Sequence, residues 1–142
     1  MARLALAPPP SGLEGIGHWS LDSAFALSPV SAGVRGAVAS RCTPPEPGSE
    51  HPVEHIVLAA SELATNALQH GWPPSALRLS HKDDRFVIAV SDHAPGLAPH
   101  IPDGRARGEG GRGLFLVRAA AVSLGYYVFG ETKQVWASFG AA

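Results

Sequence analysis

The sequence predicts a single domain of the α+β class. Three observations support this class: helical spacing of apolar residues over 53–68, two strand-like segments joined by a short turn over 76–91, and two further strand-like segments near the C-terminus. At 142 residues the chain suits one hydrophobic core, since domains most often contain about 100–150 residues. We expect a flexible N-terminal tail over residues 1–17 and one domain over residues 18–142.

The composition excludes several classes of protein. Hydrophobic residues make up 45% and charged residues 16% of the chain, with a formal net charge of -1, so neither an acidic disordered chain nor a basic nucleic-acid binder is expected. The one cysteine, Cys42, cannot form a disulfide within the chain. The apolar run at the N-terminus is too short for a signal peptide, and no segment approaches the ~18 apolar residues of a membrane helix. We therefore expect a cytoplasmic protein that contacts neither membrane nor nucleic acid directly.

The first part of the domain is predicted to contain a strand and a helix. The strand covers 18–26, with three inward-facing candidates, Trp19, Leu21 and Phe25. The helix covers 31–41 and begins near Ser28 and Pro29, because proline is tolerated in a first helical turn. The proline-rich segment 43–49 cannot continue it and is predicted to be a linker.

The middle of the chain carries the clearest boundaries. A long helix begins at Pro52 and ends at Gly71, which is followed by Pro73 and Pro74. A β-hairpin follows, with strands over 76–80 and 85–91 around a turn at 82–84, and its apolar second strand ends at Asp92.

The last third begins with a long loop. Residues 93–111 show no periodicity, and a loop of this length in a compact domain is usually functional or disordered. Helical spacing returns over 113–124, where Gly125 is predicted to end the helix. Strands over 126–129 and 135–139 close the domain.

Three polar residues recur every fourth position on the long helix: Glu62, Asn66 and His70. At this spacing they share one side of the helix, at the edge of its apolar stripe. They could be the solvated side of an amphipathic helix. Alternatively, the Asn66 oxygen can bind Mg²⁺ and Glu62 can orient or deprotonate a nucleophile. His70 is interpreted as a helix-end residue that interacts with the helix dipole.

Two further features complete a nucleotide pocket. Asp92 follows a buried strand, where its carboxylate can accept a hydrogen bond from an amino group in a crevice. Residues 110–113, GGRG, open a predicted helix. Glycines let backbone amides approach a ligand closely, and a helix N-terminus presents unpaired N–H groups to an anion such as phosphate.

Other interpretations fit less well. Residues 108–113 match the G-x-G-x-x-G pattern of dinucleotide-binding folds, but a proline-rich loop precedes them instead of the strand that this motif requires. His51 and His55 have ligand-like spacing, yet no third ligand has a useful position for a metal site.

The ordered motifs together resemble a known family. Residues 62–71, ELATNALQHG, resemble the N box of the GHKL ATPases, the Bergerat-fold group that includes histidine kinases. Residues 90–96 are similar to the first glycine box of that group and residues 111–117 to the second. Residues 133–139 are similar to the last strand of the bacterial anti-sigma factor serine kinases and their actinobacterial relatives. The resemblance covers roughly residues 18–139.

The resemblance implies a fold and a set of residue roles. The fold is a two-layer α/β sandwich, the Bergerat ATP-binding fold, whose mixed and mostly antiparallel sheet carries helices on one face. Glu62 would act as general base, Asn66 would bind Mg²⁺ at the phosphates of ATP, and Asp92 would hold the adenine amino group. Residues 97–110 would form the ATP lid. The remaining nucleotide-binding positions would be Gly96, Gly111, Arg112, Gly113 and Leu114.

The resemblance also implies two candidate functions. The first is an ATP-dependent serine/threonine protein kinase that phosphorylates an antagonist protein and controls a sigma factor. The second is a protein-binding module of the same fold with weak or no nucleotide turnover. Ala94 stands where the general first box has glycine, and Gln134 stands where the family commonly has a threonine that helps to hold adenine. A homodimer is expected by analogy, and at this length we expect no phosphoacceptor helices of a histidine kinase.

Overall fold

A six-stranded mixed sheet forms one layer of the protein and the helices form the other. The structure, a computed structural model, describes residues 5–42, 52–94, 96 and 117–140. The strands are β1 (Ala5–Leu6), β2 (Glu14–Leu21), β3 (Ser75–Lys82), β4 (Arg85–Asp92), β5 (Ser123–Phe129) and β6 (Thr132–Gly140). Their order across the sheet is β1-β5-β6-β4-β3-β2. Only the β1–β5 pair is parallel within the described ranges, so the predicted α+β sandwich with a mostly antiparallel sheet is confirmed.

Among the described residues, two long helices cover one face of this sheet. Helix α1 (Leu27–Ala39) buries Val30, Val34 and Val38, a spacing of four that places all three on one side. Helix α2 (Pro52–His70) begins with proline at its first position, where the missing N–H would have no partner in the helix. An exposed ion pair between Arg35 and Glu54, 2.5 Å apart, joins the two helices. The described helices are not long and apolar enough to cross a membrane.

The main core lies between the helices and the sheet. Residues of α1, α2 and four strands form one buried cluster, which includes Val34, Val38, Ile56, Ala60, Leu63, Leu77, Leu79, Phe86, Ile88, Val90, Ala137 and Phe139. Alternation along β4 sends Phe86, Ile88 and Val90 into this cluster. Asp92 continues the same alternation and therefore faces the helix layer.

The N-terminal segment covers part of the opposite face of the sheet. Val87, Ala89 and Trp136 form a second buried cluster, and Leu13 packs against it. The indole Nε1–H of Trp136 donates to the carbonyl oxygen of Ala7 over 2.9 Å. The prediction of a flexible tail through residue 17 is therefore wrong for the described part of that segment. Its strand β1 pairs with β5, and β2 begins at Glu14.

Several boundaries differ from the predictions. The first strand ends at Leu21, and a short 3₁₀ helix (Ala24–Ala26) leaves Phe25 90% exposed, so Phe25 is not a core residue. The helix predicted over 113–124 is helical at 117–120 among its described residues. Strand β5 already begins at Ser123, and Gly125 lies within it opposite Trp136. The linker over 43–49 lies outside the described residues.

Candidate functional site

Helix α2 carries two of the predicted site residues on one side. Glu62 and Asn66 lie one turn apart, and both are partly buried at the edge of the core-facing stripe. Leu63, Ala64 and Ala67, beside them in the sequence, are buried in the core. The two polar side chains therefore stand where the helix leaves the core, as the sequence predicts. His70 is the last residue of α2 and is exposed, in agreement with its interpretation as a helix-end residue.

The surroundings of Glu62 favour its neutral form. Partial burial removes water from the carboxylate, and this desolvation raises the pKa of Glu62 above its ordinary value. A carboxyl group with a raised pKa is better matched to taking a proton near neutral pH than an exposed glutamate. In its ionised form, a carboxyl group at this position can accept a proton.

Asp92 lies at the end of β4 and is almost completely buried, with 3% of its surface exposed. Its Oδ1 atom accepts a hydrogen bond from the backbone N–H of Ala94 over 2.8 Å. Its Oδ2 atom lies 3.6 Å from the Nζ atom of Lys133. A buried carboxylate needs such partners, because an isolated charge is strongly disfavoured away from water. Asp92 is thus a fixed acceptor inside the molecule.

Gly71 brings the end of α2 against Asp92. A Cβ atom placed on Gly71 would lie 2.5 Å from the Oδ2 atom of Asp92 and 2.8 Å from the carbonyl oxygen of Ala67. Only a residue without a side chain fits between these atoms. The Gly71 N–H donates to that Ala67 carbonyl over 2.9 Å, which closes the last turn of the helix.

A second connection holds this arrangement in place. The backbone N–H of His93 donates to the carbonyl oxygen of Trp72 over 2.8 Å. The Nδ1 atom of His93 lies 2.9 Å from the carbonyl oxygen of Pro74. The segment after α2 is therefore fixed to the segment after β4. Because a helix rises about 1.5 Å per residue, Asn66 lies about 7.5 Å before Gly71 along the helix axis. Gly71 lies against Asp92, so Asn66 and Asp92 belong to the same end of the molecule.

Gly96 lies beside a cavity near this end. The cavity has a volume of about 440 Å³ and is lined by Leu6, Ala7, Pro8, Gly96, Tyr126, Tyr127 and Val128. Gly96 is exposed, and no described atom lies within 4 Å of a Cβ placed on it. The other predicted nucleotide-binding residues, Gly111, Arg112, Gly113 and Leu114, lie outside the described residues, as does the proposed lid over 97–110.

Lys133 is a candidate site residue that the sequence did not reveal. It is paired with Asp92 across strands β4 and β6, and register partners place their side chains on the same face. Gln134, its neighbour, pairs with Ser91 and therefore faces the opposite side of the sheet. The residue beside Asp92 on the last strand is thus Lys133 and not Gln134. This pairing depends on strand register, for which the sequence carries no local signal.

The residues present fit a magnesium nucleotide. The carboxamide of Asn66 and the carboxylate of Glu62 are oxygen donors, which Mg²⁺ prefers together with phosphate oxygens and water. Asp92 offers a buried acceptor, and its fixed position suits an amino group. The described residues contain no group of three His, Cys, Asp or Glu side chains that could hold a metal without such a ligand.

Comparisons with known proteins identify the family and the fold of this chain. The family model of the histidine kinase-like ATPase domain matches residues 28–139. No functionally curated protein matches the chain. A solved structure with a similar fold is the histidine kinase domain of the blue-light activated histidine kinase from Erythrobacter litoralis EL346, with a TM-score of 0.51 and 17% sequence identity. The match covers 82% of this chain and 60% of that one. Since the family model spans more than half of the sequence, the chain belongs to the histidine kinase-like ATPase domain family, a GHKL-type ATPase family.

Proposed function

We propose that this protein binds Mg-ATP between the C-terminal half of α2 and the end of β4, and transfers the γ-phosphoryl group to a serine or threonine of a protein. The observation that carries the proposal is the contact of Gly71 with the carboxylate of Asp92. Through this contact, helix α2, which carries Glu62 and Asn66, lies against the buried carboxylate of Asp92. Family membership supports ATP as the nucleotide.

The base end of the nucleotide would meet Asp92. Adenine carries an exocyclic amino group, and a buried carboxylate accepts hydrogen bonds from such a donor. The Ala94 N–H fixes the Oδ1 atom of this carboxylate, so the acceptor is preorganised before a ligand arrives. Preorganisation lowers the free-energy cost of ordering the site on binding.

The phosphate end would lie along α2. Asn66 offers its carboxamide oxygen to Mg²⁺, which when bound neutralises charge on the phosphates. Glu62 lies one turn further from Asp92 on the same side of the helix. In this position its carboxylate would take the proton of the attacking hydroxyl, a role that suits its raised pKa. Phosphoryl transfer requires mainly positioning and charge stabilisation, which these residues supply.

The protein substrate we propose is the antagonist of an anti-sigma factor, and the regulated partner is a sigma factor. This proposal follows the resemblance of residues 133–139 to the last strand of the anti-sigma factor serine kinases. The proposed role in sigma-factor control places the protein in the cytoplasm. A homodimer remains a prediction, which light scattering of the purified protein would test.

Transfer of radiolabel from ATP tests the kinase function. The protein is co-purified with its partners from the native host, and each captured partner is incubated with Mg-ATP and the purified chain. The proposal predicts labelled serine or threonine in one partner and loss of label with Glu62→Ala. Normal binding of Mg-ATP with no labelled partner, and with Glu62→Ala unchanged in every assay, would contradict it.

A second candidate function is a protein-binding module with weak or no nucleotide turnover. The orientation of Gln134 favours it, because the residue that stands for the adenine-holding threonine of the family pairs with Ser91 and faces away from Asp92. Calorimetric titration with Mg-ATP and Mg-ADP separates the two candidates. Absence of nucleotide binding by the folded protein leaves only the binding module.

A further inference from the structure

The strongest feature that the proposed function leaves unexplained is the buried lysine beside Asp92. The side chains of Lys133 and Asp92 are only 7% and 4% exposed, and their Nζ and Oδ2 atoms lie 3.6 Å apart. Lysine is almost never this buried unless it is paired. The chain contains one other lysine in addition to Lys133, namely Lys82, and that residue is exposed at the other end of the sheet.

Both oxygen atoms of Asp92 face protein groups that carry donors. The Ala94 N–H donates to Oδ1, and the Lys133 ammonium lies beside Oδ2. Gly71 packs against the Oδ2 side so closely that no side chain fits between them. In its ion pair with Lys133, the Asp92 carboxylate only accepts hydrogen bonds. Any ligand group that meets Asp92 must therefore donate.

We propose that Lys133 is a positioning residue that keeps Asp92 an acceptor-only carboxylate and thereby selects a purine with a 6-amino group over a 6-oxo purine. This inference rests on the proposed function, because it requires that Asp92 meets the base. Lys133 acts through Asp92 and touches neither phosphate nor base in this proposal. The site would favour adenine, whose exocyclic 6-amino group donates a hydrogen bond. It would disfavour hypoxanthine, whose 6-carbonyl oxygen only accepts one.

The physical reason is the cost of an unpaired buried charge. Without the Lys133 ammonium, the buried Asp92 carboxylate loses its cationic partner, and an unpaired buried charge is strongly disfavoured relative to a neutral group. A neutral carboxyl group carries an O–H donor of its own, and that donor can pair with the carbonyl of a 6-oxo purine. Removal of the ammonium should therefore weaken discrimination between the two bases in addition to weakening affinity.

The test compares Mg-ATP with Mg-ITP by isothermal titration calorimetry. The proteins are the wild type, Lys133→Met, Lys133→Arg and, as a matched charge control far from the site, Lys82→Met. We expect the wild type to prefer ATP by about 10- to 100-fold, the range for a hydrogen bond to a charged group. Lys133→Met should reduce this ratio by about tenfold, whereas Lys133→Arg and Lys82→Met should retain it.

A purely structural role of Lys133 predicts another pattern. Lys133→Met would then weaken ATP and ITP equally and leave their ratio unchanged, which overturns the inference while the proposed function stands. Absence of nucleotide binding by the wild type overturns both. If Lys133→Met does not fold, the double variant Asp92→Asn/Lys133→Met replaces it in the test. This variant has no charge at positions 92 and 133, and its asparagine places an amide donor at position 92. We expect that variant to prefer ITP, and a retained preference for ATP would overturn the inference.

Discussion

Glu62 and Asn66 are neighbours on one helix face, and in the proposed function they divide the chemistry of phosphoryl transfer between them. The carboxylate of Glu62 is partly desolvated and has a raised pKa, which suits a proton acceptor. Asn66 carries no ionisable group, so its oxygen can bind a cation at any pH. Replacement of either residue should therefore remove a separate part of the function.

Glu62→Gln tests the proton acceptor. The amide cannot take a proton, so phosphoryl transfer should slow by about 10²- to 10⁴-fold. Affinity for Mg-ATP should stay near that of the wild type, because the base and the phosphates keep their contacts. Glu131→Gln, in the exposed turn between β5 and β6, is the control and should keep full activity. An equal loss of nucleotide affinity and of rate would contradict the role of Glu62 as a base.

The raised pKa of Glu62 also predicts a pH dependence of stability. Between the ordinary pKa of glutamate and the raised folded-state pKa, the folded protein binds more protons at Glu62 than the unfolded chain does. The contribution of this group to the free energy of unfolding therefore falls as pH rises through that window. Glu62→Gln should consequently be at least as thermally stable as the wild type at neutral pH, with a smaller difference at acid pH. A lower melting temperature for the variant at neutral pH would contradict this explanation.

Gly71→Ala tests the contact between α2 and Asp92. The added methyl group would overlap the Asp92 carboxylate, so the free energy of unfolding should fall by about 1–3 kcal/mol, and nucleotide affinity should fall with it. Gly36→Ala is the matched control, because a Cβ at this exposed position of α1 meets nothing within 4 Å. That substitution should stabilise the protein by about 0.5–1 kcal/mol. Urea denaturation measures both, and equal effects would contradict the role of Gly71.

Among the secondary-structure elements, those whose ends carry local sequence signals were predicted close to their observed bounds. Helix α2 and strand β4 were predicted closely, because proline, glycine and apolar periodicity mark their ends within a few residues. Strand β1 was missed because its two residues pair with Gly125 and Tyr126, far along the chain. The prediction that Gly125 ends a helix is wrong, because Gly125 lies in β5 opposite Trp136. A glycine inside a strand has the same sequence signal as one that ends a helix.

Trp136→Phe tests the attachment of the N-terminal segment to the sheet. Phenylalanine lacks the indole N–H that donates to the Ala7 carbonyl, so the free energy of unfolding should fall by about 0.5–1.5 kcal/mol from the lost hydrogen bond. The Ala7 amide, bonded to the Tyr126 carbonyl over 2.8 Å, should exchange its hydrogen faster in the variant. Trp72→Phe, at a 62% exposed position, should change stability by less than about 0.5 kcal/mol. An unchanged exchange rate at Ala7 would show that the segment is held by other contacts.

At the scale of the whole molecule, the site is assembled from three distant parts of the chain. Residues 62–71 and 92–96 carry family motifs, so the sequence predicted Glu62, Asn66, Asp92 and Gly96 as site residues. Lys133 lies in the segment 133–139, but the resemblance gives it no role, and it joins the candidate site through the register of β6 against β4. The contact of Gly71 with Asp92 likewise depends on how α2 packs on the sheet. Residue types were therefore predictable, and the partners that position them were not.

The measurement that tests the central claim most directly is calorimetric titration of the folded protein with ATP, with and without Mg²⁺. Our account predicts one ATP bound per chain, with an affinity that Mg²⁺ increases in the wild type and increases much less in Asn66→Ala. Asp92→Ala should weaken ATP binding in both conditions, because the base contact does not involve the metal. Absence of binding by the folded wild type at ATP concentrations on the order of 1 mM would contradict the account.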